Sequence, residues 1–142
     1  ELVSLNSASA NKEEAGKLEM KEGSPVWRIT NRLSLEGQCV MIDQITLDKK
    51  RFKDLTRADF IDRKGSIYQM YQMEYGQTVV RSSERLRAGM AGKQHAEWLG
   101  LKPDSPVLII RRVASGIQDE PLEWRVSTLN TNQHEYFSEL VV

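Results

Sequence analysis

The feature that most constrains the fold of this chain is an internal repeat, carried by the stretches MKEGSPVWRITNR (20–32) and LKPDSPVLIIRR (101–112). When residues 10–29 are aligned with residues 91–110, nine of the twenty positions are identical. Average composition predicts about one or two identities over that length. We therefore expect the two copies to form the same supersecondary unit and to pack together around one core.

Local signals predict what each unit contains. Asn11 followed by Glu14 is typical of a helix N-cap with an acidic residue at the third helical position, and Gly100 suits the left-handed end of a short helix. The Ser-Pro pair in both copies blocks helix continuation and starts a strand. A turn and a further strand follow. Two units of helix, strand, turn and strand predict one antiparallel sheet with the repeat helices on one side and approximate two-fold symmetry.

The remaining segments fit the same α+β class. The hydrophobic pattern predicts strands at residues 2–5, 38–47, 77–90 and 134–142, and short helical turns at 49–60. A helix in SIYQMYQMEYG would bury Ile67, Met70, Tyr71 and Tyr75 and end at Gly76. These elements make a six- to seven-stranded antiparallel sheet with flanking helices. A length of 142 residues fits a single domain over residues 1–142.

Composition and motifs narrow the functional classes. Lys plus Arg is 20 and Asp plus Glu is 20, so the formal net charge is zero and direct DNA binding is not expected. The lone Cys39 favours a reducing compartment, and no apolar run approaches the roughly 20 residues of a membrane span. His95 and His134 lack metal-ligand spacing, and no phosphate-binding or nucleophile motif occurs. We predict no metal, no cofactor and no catalytic residue.

Strand alternation identifies charged side chains that need an explanation. Asp43 shares an otherwise apolar face with Met41, Ile45 and Leu47, so we expect it to be buried with a partner. Polar groups line single faces of other strands: Arg28, Thr30, Arg32 and Ser34 on one, Glu123, Arg125 and Ser127 on another, and Arg81 on a third. Exposure to solvent is the simplest interpretation of each face alone. If these faces converge, they line a pocket for a small anionic or hydroxylated ligand.

The order of four stretches, GSPVWRITNRLSLEGQCVMIDQITL, GSIYQMYQMEYG, AEWLGLKPDSPVLIIRR and EPLEWRVSTLNTNQHEY, resembles a UTRA domain. UTRA domains are the ligand-sensing part of bacterial GntR transcription regulators of the HutC subfamily. The resemblance spans nearly the whole chain and implies a chorismate lyase-like fold, a homodimer and a cytoplasmic location. It also implies a small-molecule effector, and contact with DNA only through a winged helix-turn-helix domain that precedes the sensor and lies outside this chain.

The resemblance implies effector contacts at five positions and a pocket lining at four more. The contacts are Arg32, Asp43, Ser66, Arg81 and Glu123; the lining residues are Ser34, Tyr68, Arg125 and Leu129. Ser34 stands where members that sense phosphorylated sugars tend to carry a second arginine, and Leu129 stands where a tyrosine is frequent. A carboxylate or a partly apolar metabolite therefore fits at least as well as a sugar derivative. Two alternatives are a chorismate lyase-like enzyme and a dimerisation module without a ligand.

Overall fold

The sequence repeat organises the sheet. The structure, a computed structural model, describes residues 1–141. Its elements are β1 (Leu2–Ser9), α1 (Lys12–Leu18), β2 (Pro25–Leu35), β3 (Gln38–Asp48), α2 (Arg57–Ile61), α3 (Ile67–Tyr75), β4 (Arg81–Met90), α4 (Lys93–Leu99), β5 (Pro106–Ser115) and β6 (Pro121–Leu129). The strand order is β1-β2-β3-β6-β5-β4, with all neighbours antiparallel. The units β1-α1-β2-β3 and β4-α4-β5-β6 are thus related by a pseudo-two-fold axis between β3 and β6, which confirms the prediction from the repeat.

The two faces of the sheet bury different partners. On the first, which we call the α1/α4 face, Val26 packs with Ala15 of α1, and Ile42 packs with Leu99 of α4. On the second, the α3 face, the strand residues Ile29, Ile45 and Leu47 pack with Phe52, Phe60, Met70 and Tyr71. Successive strand residues point to opposite faces, so the parity of a position decides which of these environments its side chain enters.

The helix ends follow the predicted chemistry. Asn11 accepts from the backbone N–H of Glu14, and the Glu14 carboxylate accepts from the backbone N–H of Asn11, which together form a capping box. Ser66 caps α3 in the same way with Gln69. Gly76 and Gly100 end α3 and α4 in the left-handed conformation, at φ values of 65° and 68°.

Two predicted strand boundaries and one whole predicted strand differ from the structure. β1 extends to Ser9 and β4 begins only at Arg81. The closing strand at 134–142 is wrong: residues 134–141 form no strand, and residue 142 lies outside the described residues. Alternation alone does not provide a partner strand or a face to cover, and Phe137 and Leu140 remain 79% and 83% exposed. No helix within residues 1–141 is long and apolar enough to cross a membrane.

Candidate functional site

A cluster of charged and hydroxyl side chains lies on the α3 face, where strand β6 passes beneath helix α3. At its centre is Glu123, whose side chain is completely buried. Arg125 donates to both carboxylate oxygens of Glu123, from Nε over 2.9 Å and from Nη2 over 2.8 Å. Tyr71 donates to Oε2 over 2.5 Å and Tyr68 to Oε1 over 3.3 Å. Four donors therefore satisfy a carboxylate that burial alone would destabilise.

Asp43 joins this cluster from the neighbouring strand. The register pairs Asp43 with Ser127, two residues from Arg125 on the same face. Ser127 donates to Asp43 Oδ1 over 2.6 Å, and Arg125 Nη1 lies 3.6 Å from Asp43 Oδ2. Asp43 is only 4% exposed. The prediction that Asp43 is buried with a partner is confirmed, and one arginine holds both acids.

Electrostatics keep the two tyrosines as neutral donors. Burial raises the pKa of Tyr71 well above its ordinary value, and the nearby Glu123 charge raises it further. The same two causes raise the pKa of Tyr68. Burial lowers the pKa of Arg125, but the attraction and hydrogen bonds of Glu123 outweigh burial and leave the pKa above its usual range. The guanidinium also lies 5.3 Å from the centre of the Tyr68 ring, in cation–π contact.

The outer edge of the cluster is formed by Arg112 of β5. Its Nε donates to Glu84 over 2.9 Å, and its Nη1 lies 3.3 Å from the Tyr68 hydroxyl. The second Glu84 oxygen accepts from Tyr136 in the C-terminal segment. The side chains of Arg112 and Glu84 are 24% and 19% exposed, so this pair meets solvent where the Glu123 pair does not.

Asn31 supplies an unsatisfied acceptor beside Asp43. It lies directly opposite Asp43 in the β2–β3 ladder and is 4% exposed. Its Oδ1 is buried and accepts no hydrogen bond from residues 1–141. A buried amide oxygen without a donor is costly. A hydroxyl or ammonium group of a ligand would satisfy it.

Beyond Ser127 the α3 face becomes apolar. Leu129 is half-buried and is flanked in the sheet by Met41 of β3 and Leu108 of β5. A ligand that reaches from Arg112 or Asn31 toward Leu129 therefore passes from charged groups to an apolar wall.

The structure brings together four of the nine residues predicted for the site. Arg125 contacts Asp43, Glu123 and Tyr68, and Glu123 also accepts from Tyr68. Leu129 lies on the same face, farther along β6. The other four lie elsewhere: Arg32, Ser34, Ser66 and Arg81.

The expectation that Arg32 shares a cavity with Asp43 and Glu123 is not met. Arg32 pairs with Ile42 in the ladder, which places its side chain on the α1/α4 face. There its guanidinium lies 5.3 Å from the centre of the Trp98 ring and forms an ion pair with Glu1. The adjacent residue, Asn31, points into the cluster instead.

The remaining three predicted residues are exposed. Ser34 lies beyond an irregularity in the β2–β3 register. Ser66 is the N-cap of α3, and its hydroxyl accepts from the backbone N–H of Gln69 over 3.1 Å. Arg81 forms a surface ion pair with Asp119. These contacts leave none of the three facing Glu123.

Sequence reasoning missed Asn31, Tyr71, Glu84 and Arg112 as members of the cluster. Asn31 carried a usable signal, because it shares strand parity with the apolar Ile29. Tyr71 was predicted only as a packing residue, and its hydroxyl bond to Glu123 spans 52 positions of sequence. The Arg112 and Glu84 pair depends on the β4–β5 register.

Cavities in the part of the chain that the structure describes also lie away from the cluster. A groove of about 530 Å³ runs between α2 and α3, past Asp59, Arg63 and Met73. A hollow of about 190 Å³ lies near Gly100 and His134. A cavity of about 370 Å³ opens on the α1/α4 face. Within residues 1–141 no group of three or more His, Cys, Asp or Glu side chains is arranged to hold a metal ion.

Comparison with known proteins supplies the family context. Residues 1–135 match the UTRA domain family. The fold is similar to the ligand-binding domain of a protein from Bordetella bronchiseptica assigned to the GntR family of transcriptional regulators, with a TM-score of 0.94 and 29% identity, covering 99% of this chain and 90% of that one.

Two structures of PhnF from Mycobacterium smegmatis show the same fold. The effector domain of PhnF has a TM-score of 0.85 and 20% identity, covering 99% of this chain and 85% of that one. A longer PhnF structure has a TM-score of 0.83 and 19% identity, covering 99% of this chain and 61% of that one. This chain thus spans about three fifths of the length of the longer PhnF chain.

Proposed function

This chain belongs to the UTRA family, the effector-binding domains of GntR-family transcriptional regulators, and we propose that it binds a small polar metabolite at the Glu123 cluster. The family consists of regulator domains rather than enzymes, so the alternative of a chorismate lyase-like enzyme is set aside. The fold is the expected α+β sheet with flanking helices of chorismate lyase-like structures. The effector and its coupling to DNA are the subject of the proposal.

The observation that carries the proposal is the burial of Glu123, Asp43 and Arg125 on one sheet face. A fold gains little net stability from buried ion pairs compared with apolar side chains of similar volume. Concentrated buried charge with perturbed pKa values is characteristic of functional sites. The cluster also retains one buried acceptor, Asn31 Oδ1, that receives no hydrogen bond within residues 1–141.

The charges of the cluster indicate the chemistry of the effector. Three carboxylates, those of Asp43, Glu84 and Glu123, face two guanidinium groups, those of Arg112 and Arg125, so one negative charge is in excess. A donor group of the effector, such as a hydroxyl or an ammonium, offsets that excess near Asn31 and Asp43.

An anionic group of the effector fits only at the outer edge of the cluster, beside Arg112. Arg125 is enclosed by its two acids, whereas Arg112 is partly exposed and holds Glu84 in a pair that solvent reaches. A carboxylate of the effector would compete with Glu84 for Arg112, and with Glu123 for the single hydroxyl proton of Tyr68. With Leu129 as the apolar end of the site, the proposed effector is a hydroxylated or amino carboxylate with a partly apolar body.

Binding would act on transcription through a shift of populations. We propose that the regulator is a cytoplasmic homodimer with a winged helix-turn-helix domain attached ahead of this sensor. The dimer would exist in two arrangements that space the DNA-binding domains differently. An effector can shift the equilibrium between them only by the difference in its affinity for the two arrangements. Glu84 links Arg112 to Tyr136 of the C-terminal segment, so a ligand that takes Arg112 from Glu84 also alters the contact of that segment with the sheet.

A thermal-shift screen against hydroxy acids, amino acids and sugar acids tests the proposal, preceded by native mass spectrometry to detect a co-purified ligand. A ligand at 100 times its Kd adds about 2.7 kcal/mol to the free energy of unfolding, which raises Tm by about 5 to 15 °C for a domain of this size. Tyr68→Phe and Arg112→Gln should each reduce the shift, whereas Arg32→Gln on the opposite face should not. If no metabolite shifts Tm and the protein dimerises normally, the dimerisation module is the better description.

A further inference from the structure

The face of the sheet opposite the Glu123 cluster holds a second polar cavity. It has a volume of about 370 Å³ and is lined by residues of α1 and of four strands, among them Glu14, Arg28, Gln44, Thr46, Arg111 and Trp124. Thr46 and Trp124 are cross-strand partners in the central β3–β6 pair, so the cavity lies over the middle of the sheet. Its volume is within the range of small-molecule sites, about 300 to 1,000 Å³.

One wall of this cavity is formed by an ion pair, Glu14 with Arg28, in which the carboxylate accepts hydrogen bonds at both oxygens. Glu14 is 3% exposed and accepts from Arg28 Nε over 2.9 Å, from Arg28 Nη2 over 2.7 Å and from the Thr46 hydroxyl over 3.0 Å. The backbone N–H of Asn11 completes the set. Glu14 and Arg28 therefore form a wall with no net charge, and the Glu14 carboxylate is not free to neutralise another cation.

Arg111, on the opposite wall, is not neutralised. It is half-buried, and within residues 1–141 no carboxylate lies within ion-pair distance of its guanidinium. Its partner across the β4–β5 ladder is Arg85, and its partner across the β5–β6 ladder is Val126. Arg87 follows two residues after Arg85 on the same face, and Glu13 of α1 is the other acid in the cavity lining besides Glu14. Like charges directly opposite each other in a sheet are destabilising.

The next residue in the chain shows the contrast. Arg112 points to the other face, where Glu84 and Tyr68 hold it. Of two adjacent arginines, the one in the Glu123 cluster has an acidic partner and the one in the second cavity has none.

Trp124 provides an independent observation in the same cavity. Its side chain is 7% exposed, and its indole Nε1 is buried without an acceptor in the described part of the chain. Buried indole N–H groups usually find an acceptor, because an unmet donor costs the desolvation of that group. The cavity thus contains an unneutralised cation and an unused donor.

We propose that this cavity binds a second small molecule, an anion that carries a carboxylate or phosphate group. The anionic group is held by Arg111, with Arg85 adding positive potential at the rim, and an oxygen of the ligand accepts from Trp124 Nε1. Gln44 and Thr30 supply polar contacts for the rest of the ligand. Such a ligand would connect α1 of the first repeat to β5 and β6 of the second. The site is separate from the Glu123 cluster and does not depend on the function proposed there.

The two adjacent arginines allow a matched experiment on the whole domain. ¹⁵N-labelled protein is titrated with inorganic phosphate and, separately, with succinate at constant ionic strength, while the Trp124 indole N–H resonance, assigned by its loss in Trp124→Phe, is followed by NMR. We expect saturable shifts of that resonance. Arg111→Gln should weaken binding about 10- to 100-fold, the range for a lost charged hydrogen bond. Arg112→Gln should leave the affinity unchanged, and Arg85→Gln on the exposed surface should weaken it only severalfold.

Several results would overturn the second site. They are shifts that do not saturate, equal binding by wild type and Arg111→Gln, or a loss of binding in Arg112→Gln alone, which would assign the anion to the Glu123 cluster. Binding of duplex DNA or self-association in place of phosphate and succinate, abolished by Arg111→Gln, would likewise assign these arginines to a macromolecular contact. If Arg111→Gln fails to give a folded spectrum, two other variants decide: Arg85→Gln, followed by the same indole resonance, and Trp124→Phe, followed by isothermal titration calorimetry. Both should weaken binding.

Discussion

Arg125→Met is expected to be among the most destabilising single changes in this domain. Arg125 is 10% exposed at its side chain and is the cation for both Glu123 and Asp43, which are 0% and 5% exposed. Methionine approximates the length of the arginine stem but removes the charge and every hydrogen bond. Two buried carboxylates would then face each other with only hydroxyl donors left, from Tyr68, Tyr71 and Ser127.

The magnitude follows from the burial of the pair. Removing one partner of a buried ion pair costs about 3 to 5 kcal/mol, because the remaining charge is left uncompensated. A surface pair costs about 0 to 1 kcal/mol. Arg81 with Asp119 is such a pair, with side chains 60% and 68% exposed. Arg81→Met is therefore the matched control, and we expect the two variants to differ by about 3 kcal/mol.

Urea unfolding followed by circular dichroism and by tryptophan fluorescence measures this difference. With an m-value of about 1 to 3 kcal/mol per M, a loss of 3 kcal/mol moves the midpoint by about 1 to 3 M. Adding Glu123→Gln and Asp43→Asn to Arg125→Met should recover at least half of the loss, since no uncompensated charge remains. If the free energies of unfolding of Arg125→Met and Arg81→Met differ by less than about 1 kcal/mol, which is the most that a surface pair usually contributes, the buried cluster is not the ion-paired network described here.

Two further predictions concern the opposite face. Burial raises the pKa of Glu14, but hydrogen bonds from Arg28, Asn11 and Thr46 outweigh burial and leave the pKa below its ordinary value of 4.5. The stability that this carboxylate contributes is therefore fully present above pH 4.5. It is lost as the pH falls through the lowered pKa of the folded state. Glu14→Gln should cost about 1 to 3 kcal/mol at neutral pH and much less near pH 3 in urea titrations, and a cost independent of pH would contradict this. Arg32→Ala should leave effector affinity within about twofold by calorimetry, since less than 0.4 kcal/mol is at stake when no contact is lost; a tenfold loss would return Arg32 to the site.

Much of the fold was predictable because its signals are local or repeated. The Ser-Pro pair in both copies, the Asn11 cap and the glycines at 76 and 100 act over a few residues, so they appear in the sequence wherever they act. The repeat then fixed the symmetry of the sheet. The strand at 134–142 failed because it depended on alternation without any signal for a partner strand.

The site was predictable in part, because one strand contributes much of it. Glu123 and Arg125 alternate along β6, and Asp43 stood out as an acid on an apolar face. Arg32 failed for a reason of parity: one residue of displacement along β2 moves a side chain from one face of the sheet to the other. A family resemblance places a functional residue only to within a few positions along a strand. A shift of a single position is enough to move a side chain to the other face of the sheet.

What the sequence by itself determined is the duplicated α+β unit, the symmetry of its sheet and the family. Only the tertiary structure decided that Asn31 rather than Arg32 enters the Glu123 cluster. It also decided that Arg112 forms an ion pair with Glu84, whereas Arg111 faces a separate cavity. These outcomes depend on register between strands that are distant in sequence. Adjacent arginines on one strand carry the same local signal, and their environments differ only because a pleated strand presents them to opposite faces.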